Sequence, residues 1–115
     1  MDLAKAMASI TNDYTRAMEL LDEDWFKRAY ELATTFFQLL GNYGIYVFIH
    51  SEWMKHFDDK DKQGIGIEFL LYVAYINQDD LSISLLLDVK NKLQANMNAQ
   101  LLFEQLAYQQ RHLLL

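Results

Sequence analysis

The segment Asp59-Lys60-Asp61-Lys62-Gln63-Gly64 is the chain's closest approach to metal chemistry. Oxygen-bearing side chains at positions 1, 3 and 5, with glycine at 6, make the front of a calcium loop, in which carboxylates wrap a hard cation. The back half is missing. Position 12 should be a bidentate glutamate, and the chain has Leu70 there, with Glu68 two residues early. The expectation is a solvated charged loop over Asp58–Lys62 that caps the next helix, with no metal.

Three histidines are the other candidates: His50, His56 and His112. His50 and His56 are six residues apart, which sets them on different helix faces. Glu52 and His56 are spaced to meet, but two ligands do not make a zinc site, and a surface pair is expected. Ser51 adjoins His50, yet sequence neighbours on a helix do not face each other, and no strand–turn–helix elbow surrounds it. Gly64-x-Gly66 lacks a preceding strand, a third glycine and a Lys-Ser/Thr pair, so it is no phosphate loop. With no cysteine in the chain, disulfides, thiolate metal sites and a Cys nucleophile are excluded. No catalytic residue, metal set or cofactor site is expected.

The elements that would position these groups are helical. Thr11, Asn12 and Asp13 are consecutive candidate N-caps for a short helix with Tyr14, Met18 and Leu21 on one face. A break near Asp22 precedes a long helix over 23–40. Its acidic start, Asp22-Glu23-Asp24, suits the positive end of the dipole. Trp25, Phe26, Ala29, Leu32, Ala33, Phe36, Leu39 and Leu40 recur at helical period. Gly41-Asn42 supplies a left-handed stop. Tyr43–Phe57 opens apolar nearly all round, which suits a strand, but its length and the later Trp53, Met54 and Phe57 favour a helix. Gln63–Gln78 is apolar on most sides and is expected between other helices. Asp79 or Asp80 caps Leu81–Ala95, with Ile83, Leu86, Leu87, Val89 or the Lys90 stem, and Leu93 facing inward. Ala99–Leu113 ends the chain. Residues 1–10 carry little signal and read as a weakly ordered start or an expression remnant. Residues 11–115 form one domain.

The totals agree. A 115-residue chain with 52% hydrophobic and 23% charged residues has the composition of one globular domain. The absence of proline favours uninterrupted helices over many short strands. A net charge of −6 repels phosphate, so direct nucleic-acid binding is not expected. Met1–Ile10 has no signal-peptide pattern, and the longest apolar run, Phe69–Ile76, is far below the roughly 18 residues of a membrane span. A cytoplasmic protein without membrane contact is expected. Aromatic residues make up 14%. Tyr30, Phe37, Tyr72 and Tyr75 are candidates for an exposed aromatic face, and such faces mark protein partners.

The most specific stretch is Leu93–Leu106, Leu-Gln-Ala-Asn-Met-Asn-Ala-Gln-Leu-Leu-Phe-Glu-Gln-Leu. Asn96 can close one helix because asparagine tolerates the left-handed conformation. Asn98 can open the next by accepting a free backbone N–H of its first turn. Lys92, Leu93, Ala95, Asn96, Asn98, Gln100, Leu101, Glu104 and Leu106 resemble the motif Lys-Leu-x-Ala-Asn-x-Asn-x-Gln-Leu and its continuation. That motif lies near the C-terminus of the bacterial DNA polymerase III delta prime subunit, Gram-positive type. Ala17, Leu20, Trp25 and Phe26 are similar to the phrase that opens the same domain, and Lys60–Ile76 to its charged loop and long apolar helix. The similarity spans roughly residues 11–108, and its middle carries no diagnostic motif.

The resemblance implies an all-α, collar-like bundle of five or six mostly antiparallel helices, and a C-terminal piece of a longer subunit. In that family five such domains pack into the collar of the clamp loader, while separate ATPase-like modules hang below. The implied partners are other clamp-loader subunits through their C-terminal helical domains. The parent belongs to the DNA polymerase III holoenzyme, a DNA-directed nucleotidyltransferase, but this domain would oligomerise rather than catalyse. A second reading is a small acidic helical binding module, such as an immunity protein or a phage-encoded inhibitor. An enzyme of another type ranks last, since no catalytic constellation is present.

Overall fold

Three of the long helices begin on an aspartate whose carboxylate accepts an otherwise unsatisfied backbone N–H. Asp22 accepts from Trp25 N at 2.8 Å, Asp59 from Lys62 N at 2.8 Å, and Asp79 from Ser82 N at 3.1 Å. These caps define α3 (Glu23–Gln38), α6 (Lys60–Ile76) and α7 (Asp80–Gln94). Around them lie α1 (Leu3–Ala8), α2 (Thr15–Glu19), α4 (Gly44–Phe48), a π-helical turn at Ile49–Trp53, α5 (Met54–His56) and α8 (Ala99–Leu114). The computed structural model describes residues 3–8, 10 and 14–114, apart from the side chains of Ala17 and of residues 111–114. The described residues form an all-α bundle without strands. None of its helices is long and apolar enough to cross a membrane.

An aromatic cluster lies at the centre of a mostly aliphatic core. Phe36, Trp53, Phe57, Phe69 and Phe103 are fully buried, drawn from α3, the π turn, the residue after α5, α6 and α8. Trp53 sits among them, with ring centroids 5.3 Å from Phe36, 4.3 Å from Phe57 and 5.2 Å from Phe103. The separations from Phe36 and Phe103 fall in the range of favourable ring pairs, and the Phe57 ring lies closer still. Gly66 lies beneath this cluster in α6. A Cβ there would come within 3.1 Å of both Phe57 and Trp53, tight enough that the rings would have to give by a few tenths of an ångström, so the close approach of α6 favours a glycine. A Cβ on Gly64 would overlap the Tyr14 ring. The Gly64-x-Gly66 pair is thus a packing device.

Several expectations are corrected. Asp58–Lys62 is not a loop throughout, because α6 begins at Lys60, and Asp59 serves as its N-cap. Within residues 1–10, α1 buries Leu3 and Ala6 in contact with α3 and α6. The expected helix over Tyr43–Phe57 is continuous only through a π turn. Such a turn lets residues four apart drift off a common face. Glu52 and His56 accordingly do not pair: Glu52 meets Arg28 at 3.2 Å, and His56 turns to Trp25. Leu87, expected inside, is 47% exposed. Thr11, Asn12 and Asp13 lie outside the described residues, as does the side chain of His112.

Candidate partner-binding site

The Asn96–Asn98 corner has the geometry its residue types suggest. Asn96 adopts φ +63°, in the left-handed region. Its N–H donates to Leu93 O at 3.0 Å, and Met97 N–H donates to Lys92 O at 3.2 Å, the paired closure of a Schellman motif. Asn98 Oδ1 then accepts Leu101 N–H at 3.0 Å and opens α8. Sequence reasoning missed the brace across this corner. Lys60, at the start of α6, donates to Asn96 Oδ1 at 2.8 Å and to Gln94 O at 3.4 Å. A cation at the C-terminal end of α7 is favourably placed against the dipole. Replacing both Asn96 and Asn98 by alanine should cost about 1–2 kcal/mol through a lost cap and a strained left-handed residue. An unchanged denaturation midpoint would refute this account of the corner.

The other motif positions divide between core and surface. Leu93 and Leu106 are buried, and Leu101 is 51% exposed. Lys92 pairs with Asp88 at 2.9 Å. Ala95 is the exposed C-cap of α7. Gln100 donates to His50 Nδ1 at 3.2 Å and to Glu104 at 3.1 Å, tying the π turn to the first turns of α8. Leu101 and Tyr108, seven residues apart, share an outward face of α8, and Tyr108 is 55% exposed.

The four candidate surface aromatics do not form one open face. Tyr75 is 72% exposed. Tyr30, Phe37 and Tyr72 are half-buried. Tyr30 lies against Phe69 and Tyr72, at centroid distances of 6.1 and 6.4 Å, and bridges α3 to α6. Tyr72 and Tyr75 nevertheless line a shallow cleft of about 260 Å³ together with Glu68 and Leu71. These four positions, at i, i+3, i+4 and i+7, are one stripe of α6. Glu68 is itself buried, and Lys90 of α7 donates to its carboxylate at 2.8 Å. A charge inside an apolar helix survives only when paired in this way. In the sequence Glu68 was noticeable only as an acid in the wrong place for calcium.

His56 stacks on Trp25, with centroids 4.6 Å apart and planes at 16°. Its Nε2 lies 3.0 Å from Trp25 O, which makes Nε2–H the donor. Burial lowers its pKa from 6.5; Arg28 and Lys62 push the same way, while the Trp25 carbonyl and Asp58 oppose them. The unfolded chain therefore binds the proton more tightly than the folded one, and stability falls as pH drops below 6.5. Melting temperature should decline from pH 6.5 towards 5, and His56→Gln should remove that step. A wild-type profile flat through this range would show that His56 is not desolvated.

Ser51 Oγ donates to Val47 O at 2.6 Å, within its own helix. Among the described residues, no three of His, Cys, Asp and Glu gather closely enough to hold a metal. Comparison with family models, with curated proteins and with solved structures finds no match.

Proposed function

We propose that this chain is an oligomerisation domain of the collar type, from a DNA polymerase III clamp-loader subunit, and that it supports sliding-clamp loading without catalysis of its own. The observation that carries the reading is the Asn96–Asn98 corner. Its paired left-handed closure and asparagine cap give a physical reason for both asparagines of the motif, and the flanking leucines divide between core and surface. The work of such a domain is mechanical. Apolar faces such as Leu101 and Tyr108 on α8 would hold neighbouring helical domains in register, so that nucleotide-driven motion elsewhere reaches the clamp. Delta prime is the subunit whose motif the chain resembles, and a replication role would place it in the cytoplasm. The net charge of −6 suits contact with proteins rather than with the DNA backbone.

The test is co-purification with the other clamp-loader subunits of the same organism, followed by size-exclusion chromatography. Co-elution that is lost when a partner's C-terminal domain is deleted supports the collar. A clean monomer that binds none of them favours the small acidic binding module, of the immunity-protein or phage-inhibitor kind.

A further inference from the structure

The cleft along α6 combines features that an ordinary helix surface does not. It is lined by Glu68, a residue only 6% exposed, together with Leu71, Tyr72 and Tyr75. Glu68 sits within an unbroken run of buried residues from Gly64 to Leu70. A leucine at that position would pack without any desolvation penalty, and buried ion pairs are often no more stable than apolar substitutes. Lys90 neutralises the carboxylate from the side, and its side chain remains 20% exposed. A long, flexible stem of this kind can yield its place when another cation pairs the carboxylate.

We propose that this cleft receives an arginine side chain from a protein partner, the guanidinium taking the place of the Lys90 ammonium on Glu68 and stacking against Tyr72 and Tyr75. Three properties favour arginine. The planar guanidinium binds a carboxylate through two parallel hydrogen bonds, where lysine supplies a point charge. It is weakly hydrated and stacks on aromatic faces. The net charge of −6 attracts a cationic segment and repels an anionic one. Lys90 then acts as an internal stand-in that keeps Glu68 paired while the cleft is empty. This inference rests on the chain being a protein-binding domain and is independent of which assembly it joins.

The test uses the chain alone, so that its outcome is separate from co-purification with clamp-loader subunits. The isotope-labelled protein is titrated with N-acetyl-L-arginine methylamide and, in parallel, with the lysine and norvaline analogues. Saturable NMR shifts are expected at Leu71, Tyr72, Tyr75 and Lys90, strongest with the arginine probe. Lys90→Gln removes the competitor and should tighten binding about fivefold, whereas Glu68→Gln should weaken it at least about tenfold. Tyr75→Ala, at an open position where folding is safe, should weaken binding about threefold through the lost ring face. Equal response to all three probes, shifts scattered over the surface, or affinity unchanged or weakened by Lys90→Gln would each overturn the proposal.

Discussion

Replacing Trp53 by alanine is expected to lower the stability of the domain by about 3–5 kcal/mol, the range for a large aromatic truncated in a closed core. Trp53 has no exposed surface. Its ring packs against Phe36 of α3, Phe48 of α4, Phe57 beyond α5 and Phe103 of α8. One truncation would therefore unseat contacts from several elements, and Gly66 beneath has no side chain to fill the hole. Domains of this size are stable by roughly 5–15 kcal/mol, so the variant should be close to unfolding at physiological temperature. Trp53→Phe should cost far less, about 1 kcal/mol, for a reason specific to this site. The indole Nε1 is buried without a hydrogen-bond partner. Phenylalanine deletes that orphan donor, and the relief offsets part of the lost packing. Urea denaturation of the two variants measures both effects. A Trp53→Ala cost below about 1 kcal/mol would mean the aromatic cluster is not the keystone of the fold.

The features legible in the sequence are those carried by local chemistry. Asp22 as a helix start, Gly41 at φ +85° as a stop and Asn96 at φ +63° as a corner all follow from one residue's relation to its own backbone. The helical period placed Phe26, Ala29, Leu32, Ala33 and Phe36 correctly in the core of α3. What could not be read depends on partners far along the chain. Lys60 looked like loop charge because the groups it binds, Gln94 and Asn96, are more than thirty residues away. Glu68 acquired a role only when α7 folded back antiparallel and brought Lys90 to it. Tyr30 and Tyr72 seemed open because helical period gives a residue's direction but not what lies opposite, and here each lies opposite the other. The π turn had no signal, since its five residues, Ile-His-Ser-Glu-Trp, read as ordinary helix. Gln78 is a partial exception. It takes φ +56° and closes α6 as Asn96 closes α7, in a position where glutamine gives no warning.

Removing Lys90 should be far more damaging than removing Glu68, although both end the same ion pair. Lys90→Met leaves the Glu68 carboxylate, whose side chain is 7% exposed, charged and unpaired in an apolar helix, and should cost about 3 kcal/mol. Glu68→Met leaves an ammonium on a side chain 20% exposed, which can move to water, and should cost less than about 1 kcal/mol. The double variant Glu68→Met/Lys90→Met replaces two charges with packing atoms and should be at least as stable as the wild type. The four proteins form a double-mutant cycle, read from their denaturation midpoints at neutral pH. Equal losses for the two single variants would place the pair in water rather than in the fold. The cycle also separates stability from binding. If the pair exists only to hold α6 against α7, the double variant is simply a better-packed protein and still meets its partners. If Glu68 is kept for an incoming guanidinium, the same variant folds well and no longer responds to the arginine probe. A carboxylate that lowers stability yet is needed for recognition is what a binding site inside a helical core requires.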